Sequence, residues 1–129
     1  MSKELLILVV EDEYFLMLDL EQVLNDGGFA AETTSSGEEA LRLFMQDTKK
    51  YKALITVVRL KGTIDGWNVA RLMREEEPAL PVIYVTGSNI EEWGSNRVPE
   101  SILIPKPFHR LQLIRTVSKL LNIEAPRNT

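Results

Sequence analysis

The chain has 129 residues, 44% of them hydrophobic and 26% charged, which is typical of a single globular domain. Its 15 basic and 19 acidic residues give a net charge of -4, which argues against a general nucleic-acid binder. Because there is no cysteine, disulfides, thiolate metal sites and cysteine nucleophiles are excluded. The apolar run from Leu5 to Val10 is too short for a signal peptide or a membrane span, so we expect a cytoplasmic protein that does not contact a membrane.

The first two strand and helix pairs are predicted between residues 5 and 44. Leu5 to Val10 predicts a buried strand, which ends abruptly in the acids Glu11, Asp12 and Glu13. Apolar residues at helical spacing follow as far as the glycines at 27 and 28; they are Leu16, Leu20, Val23 and Leu24. Residues 29–33 predict a less apolar strand near a sheet edge. A capping box from Ser36 to Glu39 then begins a second helix.

A third strand is predicted at the centre of the sheet. Residues 53–60 are nearly all apolar and rich in β-branched side chains, a pattern that indicates burial on both faces. A loop through Gly62 and Gly66 follows, and a helix is predicted from about Trp67 to Glu76, where Pro78 prevents its continuation. The carboxyl end of such a strand opens onto the functional crevice of a doubly wound sheet.

The last third of the chain predicts two more strands and a final helix. Residues 81–86 and 101–104 are the strands, and between them residues 90–93 predict a short helix in a poorly periodic segment. Four apolar residues at helical spacing mark the last helix: Leu111, Ile114, Val117 and Leu121. This alternation predicts one α/β domain, a parallel sheet with helices on both faces.

Four motifs, each at the end of a predicted strand, resemble those of response-regulator receiver domains. They run from Val9 to Glu13, from Ile55 to Leu60 with Asp65 and Gly66 after it, from Val85 to Gly87, and from Lys106 to Phe108. The resemblance covers the chain from about Glu4 to Leu121. It implies a doubly wound, five-stranded parallel sheet of the flavodoxin-like order 2-1-3-4-5. Residues 1–129 would then form a single receiver domain of two-component (phosphorelay) signal transduction, with residues 122–129 as a tail.

The same resemblance implies a phosphorylation site at the carboxyl edge of the sheet. In receivers, a phosphoryl group moves from a histidine kinase to an aspartate at the end of the third strand, assisted by Mg²⁺. Asp12 would be a direct Mg²⁺ ligand, Glu11 would act through water, and Arg59 would offer its backbone carbonyl. Lys106 and Thr86 would contact the phosphoryl oxygens. The family also suggests a cis Lys106-Pro107 peptide, which the sequence alone leaves open.

Two positions depart from the family pattern. The aligned motif places Val57 where the family has its aspartate, and valine can neither accept phosphate nor bind a metal. Thr56 is no substitute, because successive residues of a strand point to opposite faces. Leu103 replaces the aromatic residue whose rotation accompanies the threonine shift in many receivers. We therefore predict a degenerate phosphorylation site with weak or absent Mg²⁺ binding.

The leading functional hypothesis is a non-enzymatic protein-interaction module. On this hypothesis we expect no output domain after Leu121, and we expect contact with a histidine kinase, phosphorelay or effector protein through the fourth helix, fifth strand and fifth helix, as a monomer or weak dimer. The first alternative is an ordinary Mg²⁺-dependent phosphoaccepting regulator in which Val57 is a substitution. The second is a flavodoxin-like small-molecule binder, which is disfavoured because Glu11-Asp12-Glu13 would repel a ligand phosphate.

Overall fold

The computed structural model describes residues 5–87 and 93–122. Its strands are β1 (Leu5–Val10), β2 (Phe29–Thr34), β3 (Ala53–Val57), β4 (Val82–Thr86) and β5 (Ile102–Pro105). Its helices are α1 (Tyr14–Asp26), α2 (Gly37–Gln46), α3 (Gly66–Glu76), α4 (Trp93–Asn96) and α5 (Arg110–Leu120). Strands and helices alternate throughout, as the sequence predicts.

The five strands form one parallel sheet in the order β2-β1-β3-β4-β5, which confirms the predicted topology. The central strand β3 is buried along its whole length, as its β-branched composition predicts. It ends at Val57, however, and the prediction of a strand to Leu60 is wrong at that end. There the chain leaves the sheet, and the Gly66 amide donates to the Val58 carbonyl oxygen at 2.7 Å.

Each face of the sheet has its own hydrophobic core. In β1, Ile7 and Val9 pack with residues of α1 and α5, whereas Leu8 and Val10 pack with residues of α2 and α3. This division follows from the alternation of side chains along a strand. Helices therefore cover both faces, as predicted, and the open edge at the carboxyl ends of the strands is left to form a site.

Helix ends follow local sequence signals. The Ser36 side chain accepts from the Glu39 amide at 3.1 Å, which is the predicted capping interaction of α2. Helix α3 ends at Glu76, two residues before Pro78. The helix predicted over residues 90–93 lies mostly outside the described residues, and α4 begins at Trp93. In the described part of the chain, the helices are all too short or too polar to cross a membrane.

Candidate functional site

The predicted site residues converge at the carboxyl edge of the sheet. Glu11 and Asp12 follow β1, Val57 ends β3, Thr86 ends β4, and Lys106 follows β5. A pocket of about 210 Å³ opens here; its lining residues are Val57, Val58, Arg59, Val85, Thr86, Gly87 and Lys106. Parallel strands bring these residues together although they are far apart in sequence.

Glu11 and Lys106 form a partly buried ion pair at this edge. The Glu11 carboxylate is 1% exposed, and its Oε2 lies 3.1 Å from Lys106 Nζ. Its other oxygen accepts from the Glu13 amide at 3.0 Å. Burial raises the pKa of Glu11 above its ordinary value, although the Glu13 amide and the Lys106 ammonium oppose that shift. Both oxygens of Glu11 are thus already engaged by the protein itself.

Asp12 anchors the loop between β3 and α3. Its Oδ2 accepts from the Lys61 amide at 2.8 Å, across 49 residues of sequence. The same loop is held a second time by the Glu38 carboxylate, which accepts from the Thr63 amide at 3.0 Å and from the Thr63 hydroxyl at 2.9 Å. These bonds lower the pKa of Glu38. Asp12, which the family resemblance makes a metal ligand, therefore has a structural role in this loop.

Val57 lies within the pocket wall and is only 3% exposed. It packs in the core shared with α1 and α5, beside its neighbour Val85 on β4. Thr56 is fully buried, and its hydroxyl donates to the Val57 carbonyl at 2.8 Å. It is not among the pocket residues. The structure thus agrees with the sequence argument that Thr56 cannot replace a nucleophile at position 57.

The oxygen donors at this edge do not match a magnesium site. Among the described residues, no three acidic or histidine side chains come together as a possible metal-binding group. Glu11 is paired with Lys106, Asp12 accepts from the Lys61 amide, and Val57 supplies no oxygen. Mg²⁺ needs an octahedral array of hard oxygen ligands. With Val57 at the end of β3, one carboxylate of the family's ligand set is absent.

A buried aromatic ring that the sequence analysis did not single out lies on β4 beside Leu103. Leu103 is half-buried on β5 and pairs with Tyr84 on β4. Tyr84 is completely buried, its ring lies 4.6 Å from that of Trp67, and its hydroxyl accepts from the Val98 amide at 3.2 Å. Burial raises the pKa of Tyr84. The sequence signal for this contact was a tyrosine within an apolar strand, because a buried tyrosine hydroxyl needs a hydrogen-bond partner.

Lys106 is positioned by the end of β4. Its amide donates to the Thr86 carbonyl at 2.8 Å, and the Lys106-Pro107 peptide is cis. Thr86 is itself buried at 4% exposure. Four site residues that the sequence predicted, Glu11, Asp12, Thr86 and Lys106, therefore lie at one edge with Val57 among them.

The chain is similar in sequence and fold to other proteins. A receiver protein from Sinorhizobium medicae matches with a TM-score of 0.89 and 41% identity, over 93% of this chain and 96% of that one. The response regulator receiver protein Anae109_2439 of Anaeromyxobacter is 36% identical over 86% of this chain. The chain spans only 43% of that relative's length, and 23% of a Rickettsia bellii NtrX-like regulator that is 26% identical.

The parallel 2-1-3-4-5 sheet, the acids after β1 and the lysine after β5 agree with a signalling domain of two-component systems. The family model for the response regulator receiver domain matches residues 7–118. The chain belongs to the response regulator receiver domain family. Receiver domains are in general signalling modules rather than enzymes.

Proposed function

We propose that this receiver signals without aspartyl phosphorylation, through contacts with other proteins. The observation that carries the proposal is Val57, a buried apolar side chain in the pocket that Thr86 and Lys106 also line. Phosphoryl transfer to a receiver needs a carboxylate nucleophile, a metal ion and a cation that neutralises the phosphoryl oxygens. At the end of β3 the nucleophile is missing, and with it one ligand of the metal.

The ion pair between Lys106 and Glu11 supports the same proposal. In the phosphorylated form of an ordinary receiver, the lysine is expected to pair with the phosphoryl group. Here its Nζ lies 3.1 Å from a carboxylate of the protein, so the charge is balanced within the chain. Lys106 therefore has a counter-charge within the chain when no phosphoryl group is bound. We expect a partner to recognise the protein in this unphosphorylated form.

The proposed partner is a histidine kinase, a phosphorelay protein or an effector, and the surface combines α4, β5 and α5. Strand β5 is the edge strand of the sheet, so one side of its backbone is available for contacts. The exposed side of α5 contributes Arg115 and Lys119. An acidic or phosphorylated partner segment would complement this basic helix. The chain's own role is then binding, with no reaction step.

A second candidate function is supported by the four site residues that remain. If position 57 were an aspartate, Glu11, Asp12, Thr86 and Lys106 would stand around it as in an ordinary phosphoaccepting regulator. In that case Val57 is a substitution in a working phosphorelay protein. The codon for residue 57 in the natural gene separates the two candidates: a valine codon supports the first, an aspartate codon the second.

The test is intact mass after incubation with acetyl phosphate and Mg²⁺. We expect no phosphoryl adduct on the parent protein and a Mg²⁺-dependent, base-labile adduct on Val57→Asp. The matched control is Thr56→Asp, because Thr56 precedes Val57 on β3 and is fully buried but is not among the pocket residues. An adduct on the parent would refute the proposal. An adduct on the Thr56 variant but not on the Val57 variant would refute the assignment of position 57.

A further inference from the structure

A second pocket, here called the amino-edge pocket, opens at the amino edge of the sheet and has a volume of about 200 Å³. It lies between the loops of residues 47–52 and 77–81, which lead into β3 and β4. Val57 is at the far end of β3, five residues or roughly 16 Å away at about 3.3 Å per residue. Since a cavity of about 150 Å³ holds a benzene ring, this pocket has room for such a ring with one polar group attached.

The apolar walls of the amino-edge pocket include Tyr51, Leu80 and Pro81. Tyr51 is buried, and its hydroxyl donates to the Glu32 carboxylate at 2.5 Å. Leu80 is also buried, and the neighbouring Pro81 carbonyl accepts from the Leu54 amide at 2.9 Å. The protein itself therefore holds these walls in place, which lowers the entropic cost of binding a ligand between them.

The polar side chains of the pocket leave one positive charge uncompensated. Lys49 Nζ lies 2.6 Å from Glu77 Oε1, so these two charges neutralise each other. Lys52 is exposed, and its ammonium has no ion pair or hydrogen bond with any other described residue. The Thr48 hydroxyl, which also lines the pocket, is likewise without a partner in the described part of the chain. A cation and a hydrogen-bond donor are thus available beside apolar walls.

From this combination we propose that the amino-edge pocket binds a small monocarboxylate with an apolar body, of about the size of benzoate. The apolar body packs against Tyr51, Leu80 and Pro81. The carboxylate pairs with the Lys52 ammonium and accepts from the Thr48 hydroxyl, and hydrogen bonds to a charged group are stronger than neutral ones. A few polar groups that orient a ligand against apolar walls are typical of small-molecule sites.

The ion pair between Lys49 and Glu77 sets the charge of the ligand. A ligand with a second negative charge would meet the Glu77 carboxylate, and the only cation beside that carboxylate is already paired with it. A cationic ligand would be repelled by Lys52. The pocket therefore favours a single negative charge, and its ligand does not depend on the residue at position 57.

The experiment is a titration of the ¹⁵N-labelled full chain with sodium benzoate at constant ionic strength, followed by amide NMR shifts. We expect saturable shifts at residues 48–52 and 77–81, with a dissociation constant on the order of 1 mM. Three probes separate the contributions. Benzyl alcohol lacks the charge, benzylamine reverses it, and inorganic phosphate lacks the apolar body. Each should bind at least about fivefold more weakly than benzoate.

Three variants test the role of the unpaired lysine. Lys52→Met keeps an apolar stem without the charge and should weaken benzoate binding at least about fivefold, whereas Lys52→Arg should retain it. Lys61→Met is the matched control, since Lys61 is also an exposed lysine but follows β3 at the opposite edge of the sheet. It should bind like the parent, and the amide spectrum of each variant verifies that the fold is retained.

Four results would overturn the proposal. The first is the absence of saturable shifts up to roughly 10 mM benzoate, tenfold above the expected constant. The second is a set of shifts confined to the carboxyl edge, around Thr86 and Gly87. The third is an affinity for benzyl alcohol or phosphate equal to that for benzoate. The fourth is a Lys52→Met variant that binds benzoate like the parent.

Discussion

Replacement of Val57 by aspartate should destabilise the protein when no metal is present. Val57 is 3% exposed, and full burial of a valine side chain contributes about 1.5–3 kcal/mol. The substitution would remove this hydrophobic contribution, and the new carboxylate would lie near Glu11, whose pKa is already raised by burial. Two effects oppose the loss: aspartate has nearly the shape of valine, so no cavity forms, and the Lys106 ammonium can turn from Glu11 to share its charge. We expect a net loss of about 1–2 kcal/mol.

The assay is urea denaturation of the parent, Val57→Asp and Val57→Asn, each with and without Mg²⁺. The asparagine variant has the same shape and polarity without the charge, so it isolates the electrostatic part. Mg²⁺ should restore stability to the aspartate variant alone, by about 2.7 kcal/mol at a hundredfold excess over its dissociation constant. The slope against urea should stay constant. If the aspartate variant equals the parent without metal, or if Mg²⁺ stabilises both variants alike, the reasoning is wrong.

Three further outcomes are expected. Mg²⁺ added to the parent should not saturate any change in tryptophan fluorescence or in the NMR signals of Asp12 below about 1 mM; saturation there would show an affinity above 4 kcal/mol. Gly66→Ala should lower the free energy of unfolding by about 1–3 kcal/mol, because the added Cβ would lie 2.0 Å from the Val57 carbonyl oxygen. Gly94→Ala is the control, since a Cβ at Gly94 meets nothing within 4 Å. The pKa of Glu11 is raised in the folded state. The part of the unfolding free energy that comes from this shift is therefore present below pH 4.5 and is lost as the pH rises through the folded pKa. The unfolding free energy of the parent relative to Glu11→Gln should therefore fall over that window, and a flat difference would argue against the assigned shift.

Local pattern was sufficient to predict most of the fold. The alternation in β1 follows from the period of a strand, and the start of α2 follows from one serine and one glutamate three residues later. Both signals come from residues only a few positions apart, so each can be recognised in the sequence alone. The order 2-1-3-4-5 came from the family resemblance, since periodicity does not say which strands are neighbours.

The sequence could not show how the site residues are connected. The pairing of Lys106 with Glu11 joins residues 95 positions apart, and the bond from the Lys61 amide to Asp12 joins residues 49 apart. Such contacts depend on the assembled sheet rather than on local spacing. The end of β3 was missed for a related reason: Val58 is as buried as a strand residue, but it packs after the chain has left the sheet.

Asp12 Oδ2 accepts the hydrogen bond from the Lys61 amide, and the same oxygen could serve as a metal ligand. An ion bound through Asp12 Oδ2 would compete with the loop for the same oxygen, and the loop would lose that attachment while it kept the one through Glu38 and Thr63. Loop order and ion occupancy would then be antagonistic, the reverse of a site in which the ion itself completes the loop. At a phosphorylation site rebuilt at position 57, an ion bound through Asp12 Oδ2 would therefore loosen residues 61–63, and that loosening would report its binding.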